Sequence, residues 1–362
     1  MAVPENIRKR LEERTELGLL RSLSPPKKGW VDFCSNDYLG IAKNHFSGNQ
    51  LLGSGGSRLL TGNYSKIEEL EENASSFFGA PSLYFNSGYQ ANIGLLQAVG
   101  QRGDLYLFDE FSHASIRDGL QLSRAQSLKF KHNDLQHLAQ LLKGKSGYNN
   151  IYVVTESIFS MHGDGPDLPA LLDLCETHHA FLILDEAHSV GITGAQGRGI
   201  SFAYKEHPSL FARIFPLGKA FGVQGAFISG SDLLKDYLIN FARSFIYTTA
   251  PSPVIAEAVA NSIDRVFEAD KARDNLKLNL AYWHGEGNNR EANSLSAIQF
   301  VPCPRIKHDG IKKALEEAQI QVFPIRYPTV PEQMEGFRVI IHSYNTKSEI
   351  DSLKKILQAH AQ

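Results

Sequence analysis

The sequence predicts an α/β protein: a large domain with a mainly parallel seven-stranded sheet between layers of helices, then a smaller α+β domain. In the middle of the chain, short apolar runs alternate with segments of helical periodicity, the pattern of a parallel sheet covered on both faces. After Pro253 a long helical segment leads into a shorter set of strands and helices, which indicates a second domain. We therefore expect an N-terminal helix and arm over 1–45, a large domain over 46–267 and a small domain over 268–362.

The N-terminal part begins with a predicted helix over 5–20, in which Ile7 and Leu11 supply an apolar face. Pro25 and Pro26 end this helix. A short strand is expected over 30–34, and a turn over 36–40.

In the large domain, the sequence predicts helices and strands that alternate along the chain. Helices are expected over 67–78, from Ser87 to Val99, after Ser115, over 135–142, over 168–178 and after Pro253. The apolar runs between them predict seven strands, over 82–85, 105–108, 128–130, 151–155, 181–184, 213–217 and 226–229. In the small domain we expect strands over 298–301, 321–323 and 338–342, and helices over 310–318 and 349–361.

Composition and charge exclude several classes of protein. The chain is 42% hydrophobic and 21% charged, with a formal net charge of -2 and no basic block, so no nucleic-acid partner is indicated. No apolar run reaches the roughly 20 residues of a membrane span, and the charged N-terminal stretch is unlike a signal peptide. The three cysteines (Cys34, Cys175 and Cys303) are far apart in sequence, which argues against disulfides and a metal site. We expect a cytoplasmic enzyme without a membrane partner.

A single lysine, Lys219, lies between Gly218 and Gly222 just after an apolar run. Poor hydration at the end of a buried strand would lower the pKa of its ammonium group and make it a nucleophile toward aldehydes. A solvated loop lysine is the alternative interpretation.

Other polar residues also follow predicted strands, where α/β sheets bind ligands. Asp185 could hold a protonated ring nitrogen or cap a turn, and His188 three residues later could bind a ligand oxygen or be structural. Ser87-Gly88-Tyr89 begins a helix, whose free amides suit a phosphate, although an ordinary strand–helix turn has the same composition. His113 could stack on a ring or be a plain loop histidine.

The most glycine-dense stretch is Gly53-Ser54-Gly55-Gly56-Ser57-Arg58. It lacks the GK[ST] ending of a P-loop and the context of a dinucleotide fingerprint. A flexible loop and a backbone segment that closely approaches a ligand both remain open.

Taken together, the ordered motifs resemble the α-oxoamine synthases, fold-type-I pyridoxal phosphate enzymes. The resemblance extends over nearly the whole chain and rests on Asn36-Asp37-Tyr38-Leu39-Gly40, the glycine-rich stretch 53–58, Ser87-Gly88-Tyr89, Ser112-His113-Ala114-Ser115, Thr155-Glu156-Ser157-Ile158-Phe159-Ser160-Met161, Asp185-Glu186-Ala187-His188, Gly218-Lys219-Ala220-Phe221-Gly222, Arg326-Tyr327-Pro328-Thr329-Val330-Pro331 and Arg338.

The resemblance implies a role for each candidate residue. Lys219 would hold pyridoxal 5'-phosphate and later abstract the α-proton of the bound amino acid. Asp185 would pair with the pyridine nitrogen, and His113 would stack on the ring and hold the substrate carboxylate. The other implied contacts are, for the cofactor, Ser87, Gly88, Tyr89, Ser160 and His188, with Thr248 and Thr249 reaching it from the other subunit of a homodimer, and, for the substrates, Arg21, Asn36, Thr329 and Arg338.

The family joins a small amino acid to an acyl-CoA and releases CoA and carbon dioxide. For this chain we expect L-alanine with a pimeloyl thioester, on CoA or a carrier. Glycine acetyltransfer and transamination remain alternatives, and so does a catalytically silent homologue.

Several positions depart from the family pattern. Pro216 replaces the usual threonine or serine three residues before the lysine, which removes a hydroxyl donor. The link between Gly40 and Gly53 is short, His162 replaces an aspartate, and the 340–345 segment lacks the usual Thr/Ser-rich run.

Overall fold

The computed structural model describes residues 3–17, 20, 45–46, 50–145, 147–285, 296–326 and 334–361. The chain forms two compact units. The first comprises Met1–Ser157 and Pro166–Glu268, and the second comprises Ile158–Gly165 and Ala269–Gln362.

The first unit is built on one large sheet. Its strands follow the order β3-β9-β8-β7-β6-β4-β5, and β9 is antiparallel to both of its neighbours while the other pairings are parallel. The strands of this unit are β1 (His45–Phe46) and β2 (Gln50–Leu51), which pair with each other, then β3 (Ser82–Phe85), β4 (Leu105–Asp109), β5 (Gln126–Phe130), β6 (Ile151–Glu156), β7 (Phe181–Asp185), β8 (Leu210–Pro216) and β9 (Ala226–Ser229).

Helices connect these strands and cover the sheet. Several begin at a side-chain cap that satisfies a free amide: Asp167 accepts from the Ala170 amide and Ser252 from the Ile255 amide. The helices are α1 (Glu5–Glu16), α2 (Ser65–Phe78), α3 (Gly88–Val99), α4 (Ala114–Leu122), α5 (Leu135–Lys143), α6 (Leu168–Thr177), α7 (Asp232–Phe241), α8 (Arg243–Ile246) and α9 (Pro253–Phe267).

The sheet has an apolar cluster on each face. Ile183 of β7 packs in the cluster that includes α3 and α7 residues, whereas its neighbours Leu182 and Leu184 pack with α6 residues on the opposite face. Strands buried on both faces explain the continuous apolar runs in the sequence. The predicted mainly parallel α/β sheet is confirmed.

The second unit has a three-stranded antiparallel sheet with the order β10-β12-β11. Its elements are α10 (Asp270–His284), β10 (Ile298–Pro302), α11 (His308–Glu317), β11 (Phe323–Ile325), β12 (Gly336–Ile340) and α12 (Lys347–Ala361). No described helix is both long enough and apolar enough to cross a membrane.

Several element bounds differ from those expected. Helix α1 ends at Glu16 rather than at residue 20, because the exposed Leu17 does not continue the buried face formed by Ile7 and Leu11. β11 begins at Phe323 rather than at 321. β12 ends at Ile340 rather than at 342. The predicted strand over 30–34 and the turn over 36–40 lie outside the described residues.

Candidate active site

A pocket of about 380 Å³ lies in the first unit, where the parallel strands end. Seven predicted site residues line it: Ser87, Gly88, Tyr89, His113, Asp185, His188 and Lys219. Further lining residues include Asn86, Asn92, Ser115, Glu156 and Pro216. The β-strand ends thus bring together residues that are more than 130 positions apart in sequence.

The first turn of α3 forms one wall of the pocket. Ser87 caps the helix, and its hydroxyl accepts a hydrogen bond from the Gln90 amide (3.2 Å). A Cβ atom added to Gly88 would lie 2.8 Å from Cβ of Pro216, so only glycine fits beside the proline. The amides of this helix end and its positive dipole suit an anionic group such as a phosphate.

Asp185, the last residue of β7, is buried and held by two donors. The Ala187 amide donates to its Oδ1 (2.9 Å), and Nδ2 of Asn92 donates to its Oδ2 (2.8 Å). The carboxylate is therefore fixed in orientation at the pocket. Sequence reasoning missed Asn92, although its position four residues after Gly88 puts both on one face of α3.

His113 lies at the start of α4, with its ring at the pocket. Its Nδ1 accepts a hydrogen bond from the Ser115 amide (3.2 Å) and lies 2.7 Å from the Ser115 hydroxyl. Asn92 also donates to the Ser115 hydroxyl (3.1 Å), which leaves the hydroxyl proton directed to the ring. In the neutral ring, Nε2 therefore carries the proton, and Asn92 links His113 to Asp185.

Glu156, the last residue of β6, was also missed as a site residue. Its Oε1 accepts a hydrogen bond from the His113 amide (2.7 Å). Burial, followed by repulsion from Asp185, raises the pKa of the Glu156 carboxyl well above its usual range. The motif around residue 156 was visible in the sequence, but its contact with His113 depends on the packing of distant strands.

Lys219 lies in a turn beyond β8, and its side chain is exposed. The expectation that it is poorly hydrated was therefore wrong. The reason is geometric: β8 ends at Pro216, and a Cβ atom added to Gly218 would meet no atom within 4 Å, so the turn is open. The Lys219 ammonium group nevertheless interacts with Glu156 in the pocket and lowers the pKa of that carboxyl, whereas burial and Asp185 raise it.

Ser160 and Arg338 belong to the second unit and contact each other there. Nε of Arg338 donates to the backbone carbonyl of Ser160. Burial lowers the pKa of Arg338. Neither residue lines the pocket described above.

Thr248 and Thr249 lie beside that pocket without lining it. Nδ2 of Asn86, which does line it, donates to the Thr249 carbonyl (2.8 Å) and lies 3.4 Å from the Thr248 hydroxyl. Arg21, Asn36 and Thr329 lie outside the described residues.

Residues of the glycine-rich stretch form hydrogen bonds with other parts of the same chain. Arg58 is buried, and it donates to Asn63 (2.8 Å) and to Glu71 (2.7 Å). The Gly56 carbonyl accepts from the Ala250 amide (2.9 Å). These contacts give Arg58 and the Gly56 carbonyl partners within the chain.

The pocket's donor set fits pyridoxal phosphate, the cofactor that the sequence resemblance implies. It offers an amine nucleophile, a fixed carboxylate, an imidazole and a helix N-terminus in one cavity, the four kinds of group that such a cofactor requires. Lys219, Asp185, His113 and Ser87–Tyr89 are the residues that would hold it.

Comparison with known proteins gives consistent matches. The model of the aminotransferase class I and II family matches residues 28–356. A Marinobacter nauticus 8-amino-7-oxononanoate synthase is 34% identical over 96% of this chain and 94% of that protein.

Two solved structures have a similar fold. An 8-amino-7-oxononanoate synthase from Francisella tularensis is 28% identical with a TM-score of 0.73, covering 92% of this chain and 98% of the other. A serine palmitoyltransferase from S. paucimobilis with bound PLP-myriocin aldimine is 22% identical with a TM-score of 0.78, covering 98% and 96%.

Proposed function

The chain belongs to the aminotransferase class I and II family and, within it, to the α-oxoamine synthases, and from this premise we propose that it catalyses a decarboxylating condensation. The substrates are L-alanine and a pimeloyl thioester, and the products are 8-amino-7-oxononanoate, free CoA or carrier thiol, and carbon dioxide. The observation that carries the proposal is the single pocket shared by Lys219, Asp185 and His113.

Pyridoxal phosphate is the proposed cofactor. When bound, it supplies an electron sink for negative charge at the α-carbon of the amino acid. Nζ of Lys219 would hold the cofactor, Asp185 would bind its ring nitrogen, and the first turn of α3 would bind its phosphate. His188, which lines the same pocket, would bind the ring oxygen.

The chain's own residues supply the proton transfer. In this proposal Nζ of Lys219 takes the α-proton of the substrate and later returns it. The open turn around Gly218 suits this task, since the amine must move between two positions. Asp185 stays fixed by Asn92 and Ala187, so the ring nitrogen has a constant partner.

The substrate carboxylate needs a cationic or hydrogen-bonding partner. We assign His113 and Arg338 to it, because arginine binds carboxylates with two parallel hydrogen bonds. The Nε2 proton of His113 is available as a donor, since Nδ1 already accepts from the Ser115 amide.

A homodimer with shared active sites is part of the proposal. Thr248 and Thr249 would contact the cofactor phosphate of the partner's site. Within this chain they lie next to Asn86, at the edge of the chain's own pocket. In the proposed dimer they would add hydroxyl groups to the partner's site.

The amino substrate can be identified by visible spectroscopy. The purified protein is loaded with pyridoxal phosphate and then treated separately with L-alanine, glycine and L-serine. We expect the visible band to change with L-alanine at the lowest concentration, and pimeloyl-CoA then to give product detectable by mass spectrometry. A band that responds only to glycine or L-serine would contradict the assigned substrate, and a protein that never binds the cofactor would contradict the enzyme class.

A further inference from the structure

Three consecutive strands of the large sheet end in buried carboxyl groups. Asp185 ends β7, Glu156 ends β6 and Asp109 ends β4, and these strands are neighbours in that order. Their exposed fractions are 4%, 3% and 0%. Adjacent strands are about 4.8 Å apart, so three negative charges here would repel one another strongly in a dry interior.

The hydrogen-bond donors are unevenly distributed among the three groups. Asp185 accepts from Ala187 and Asn92. Asp109 accepts from the Phe111 amide (2.8 Å) and the Asn133 amide (2.9 Å), and His132 Nδ1 lies 2.9 Å from it. For Glu156, the described part of the chain supplies the His113 amide alone. Glu156 is therefore the carboxyl group least suited to carry a charge.

We propose that Glu156 is a positioning residue: it carries a proton, holds the backbone of His113 and leaves Asp185 as the charged carboxylate of the pocket. The proposal deepens the function given above, because His113 and Asp185 matter through that chemistry. Glu156 pairs in register with Asp185 across β6 and β7, so protonation of Glu156 removes a like charge next to Asp185 on the adjacent strand.

Three charged side chains and one backbone amide affect the pKa of Glu156. Burial and repulsion from Asp185 raise the pKa of Glu156, and Asp109 adds to the rise. The His113 amide and the Lys219 ammonium oppose it. The net direction is upward, which agrees with the distribution of donors.

Two substitutions of Glu156 distinguish the loss of its ionisable proton from the loss of the oxygen that accepts from the His113 amide. Glu156→Gln is neutral and keeps an oxygen that can accept from the His113 amide, whereas Glu156→Ala removes that acceptor. Because misplacement of a substrate-positioning group costs up to about 100-fold in rate, we expect kcat to be at least about tenfold lower in Glu156→Ala than in Glu156→Gln. Equal kcat values for the two variants would overturn the positioning role.

The proton itself can be tested without turnover. A carboxyl group with a raised pKa binds its proton more tightly in the folded state, so stability falls as pH rises from the ordinary pKa of glutamate to the raised one. We expect the Tm of the wild-type holoenzyme to fall more steeply than that of Glu156→Gln between about pH 5 and about pH 8. Glu69→Gln, the same change at an exposed position of α2, is the matched control and should follow the wild type.

The outcomes distinguish this proposal from the proposed function. If no thioester is turned over but the Tm slopes of wild type and Glu156→Gln differ as expected, the reaction assignment fails and the protonated Glu156 stands. If condensation occurs and the two slopes coincide, the reaction stands and the protonated Glu156 is overturned.

Discussion

The segments 53–58 and 218–222 are both rich in glycine and each carries a single basic residue, but their environments differ. In the first, Arg58 is 3% exposed and forms an ion pair with Glu71 (2.7 Å). In the second, Lys219 is exposed and lines a pocket with Asp185. A basic residue among glycines is therefore structural where it pairs with a buried carboxylate, and a candidate nucleophile where the turn opens onto a cavity.

The largest expected effect is on turnover, at the open segment. We predict that Lys219→Ala lowers kcat by more than about 10⁴-fold, because one substitution removes both the group that holds the cofactor and the general base. The side chain is exposed, so the free energy of unfolding should change by no more than about 0.5 kcal/mol. Steady-state kinetics and urea denaturation measure both quantities. Lys66→Ala, at another exposed lysine, is the control, and retained multiple turnover in Lys219→Ala would refute its catalytic role.

In the 53–58 segment, we expect substitution of Arg58 to lower the free energy of unfolding rather than the rate of turnover. Arg58→Ala leaves the Glu71 carboxylate buried without its closest partner, and breaking such a pair costs about 3–5 kcal/mol. We expect this loss in urea denaturation, with an unchanged KM for the folded enzyme. If stability were unchanged while cofactor binding weakened, the 53–58 stretch would be a ligand site after all.

Two glycine substitutions sharpen the comparison further. A Cβ atom at Gly62 would lie 2.1 Å from the backbone oxygen of Gly56, whereas one at Gly218 meets nothing within 4 Å. We predict that Gly62→Ala destabilises the protein by about 1–3 kcal/mol and that Gly218→Ala stays within about 0.5 kcal/mol of wild type. Equal destabilisation by the two changes would contradict the contrast between a packed and an open segment.

The smallest predicted effect concerns Pro216, which lines the pocket beside Gly88. Pro216→Thr would supply a hydroxyl group to the cofactor phosphate, and one hydrogen bond is worth about 1 kcal/mol, or roughly fivefold in affinity. We expect slower loss of the cofactor during dialysis, followed by visible absorbance. An unchanged rate of loss would mean that other donors already saturate the phosphate.

The sequence predicted the sheet because strands buried on both faces carry an unmistakable apolar pattern. It did not predict the antiparallel direction of β9, since the direction of a strand depends on its connection and not on its composition. The pocket residues that follow strands were found by their position, including Asp185 and His113.

What the sequence could not provide were contacts between distant segments. Asn92 reaches Asp185 only because α3 packs beside β7. Glu156 reaches the His113 amide only because β6 lies beside the loop that carries His113. The hydration of Lys219 was predicted wrongly because glycines on either side of a lysine do not reveal whether the turn is packed. The role of Arg58 likewise depends on Glu71, which is 13 residues away in sequence and forms an ion pair with it.

The most direct test of the proposed reaction follows the carboxyl carbon of the amino acid. L-alanine labelled with ¹³C at its carboxyl group is incubated with the holoenzyme and pimeloyl-CoA, and labelled carbon dioxide and free CoA thiol are measured together. We predict that the two appear in equal amounts. Release of CoA without labelled carbon dioxide, or conversion of L-alanine to its 2-oxo acid, would contradict a decarboxylating condensation.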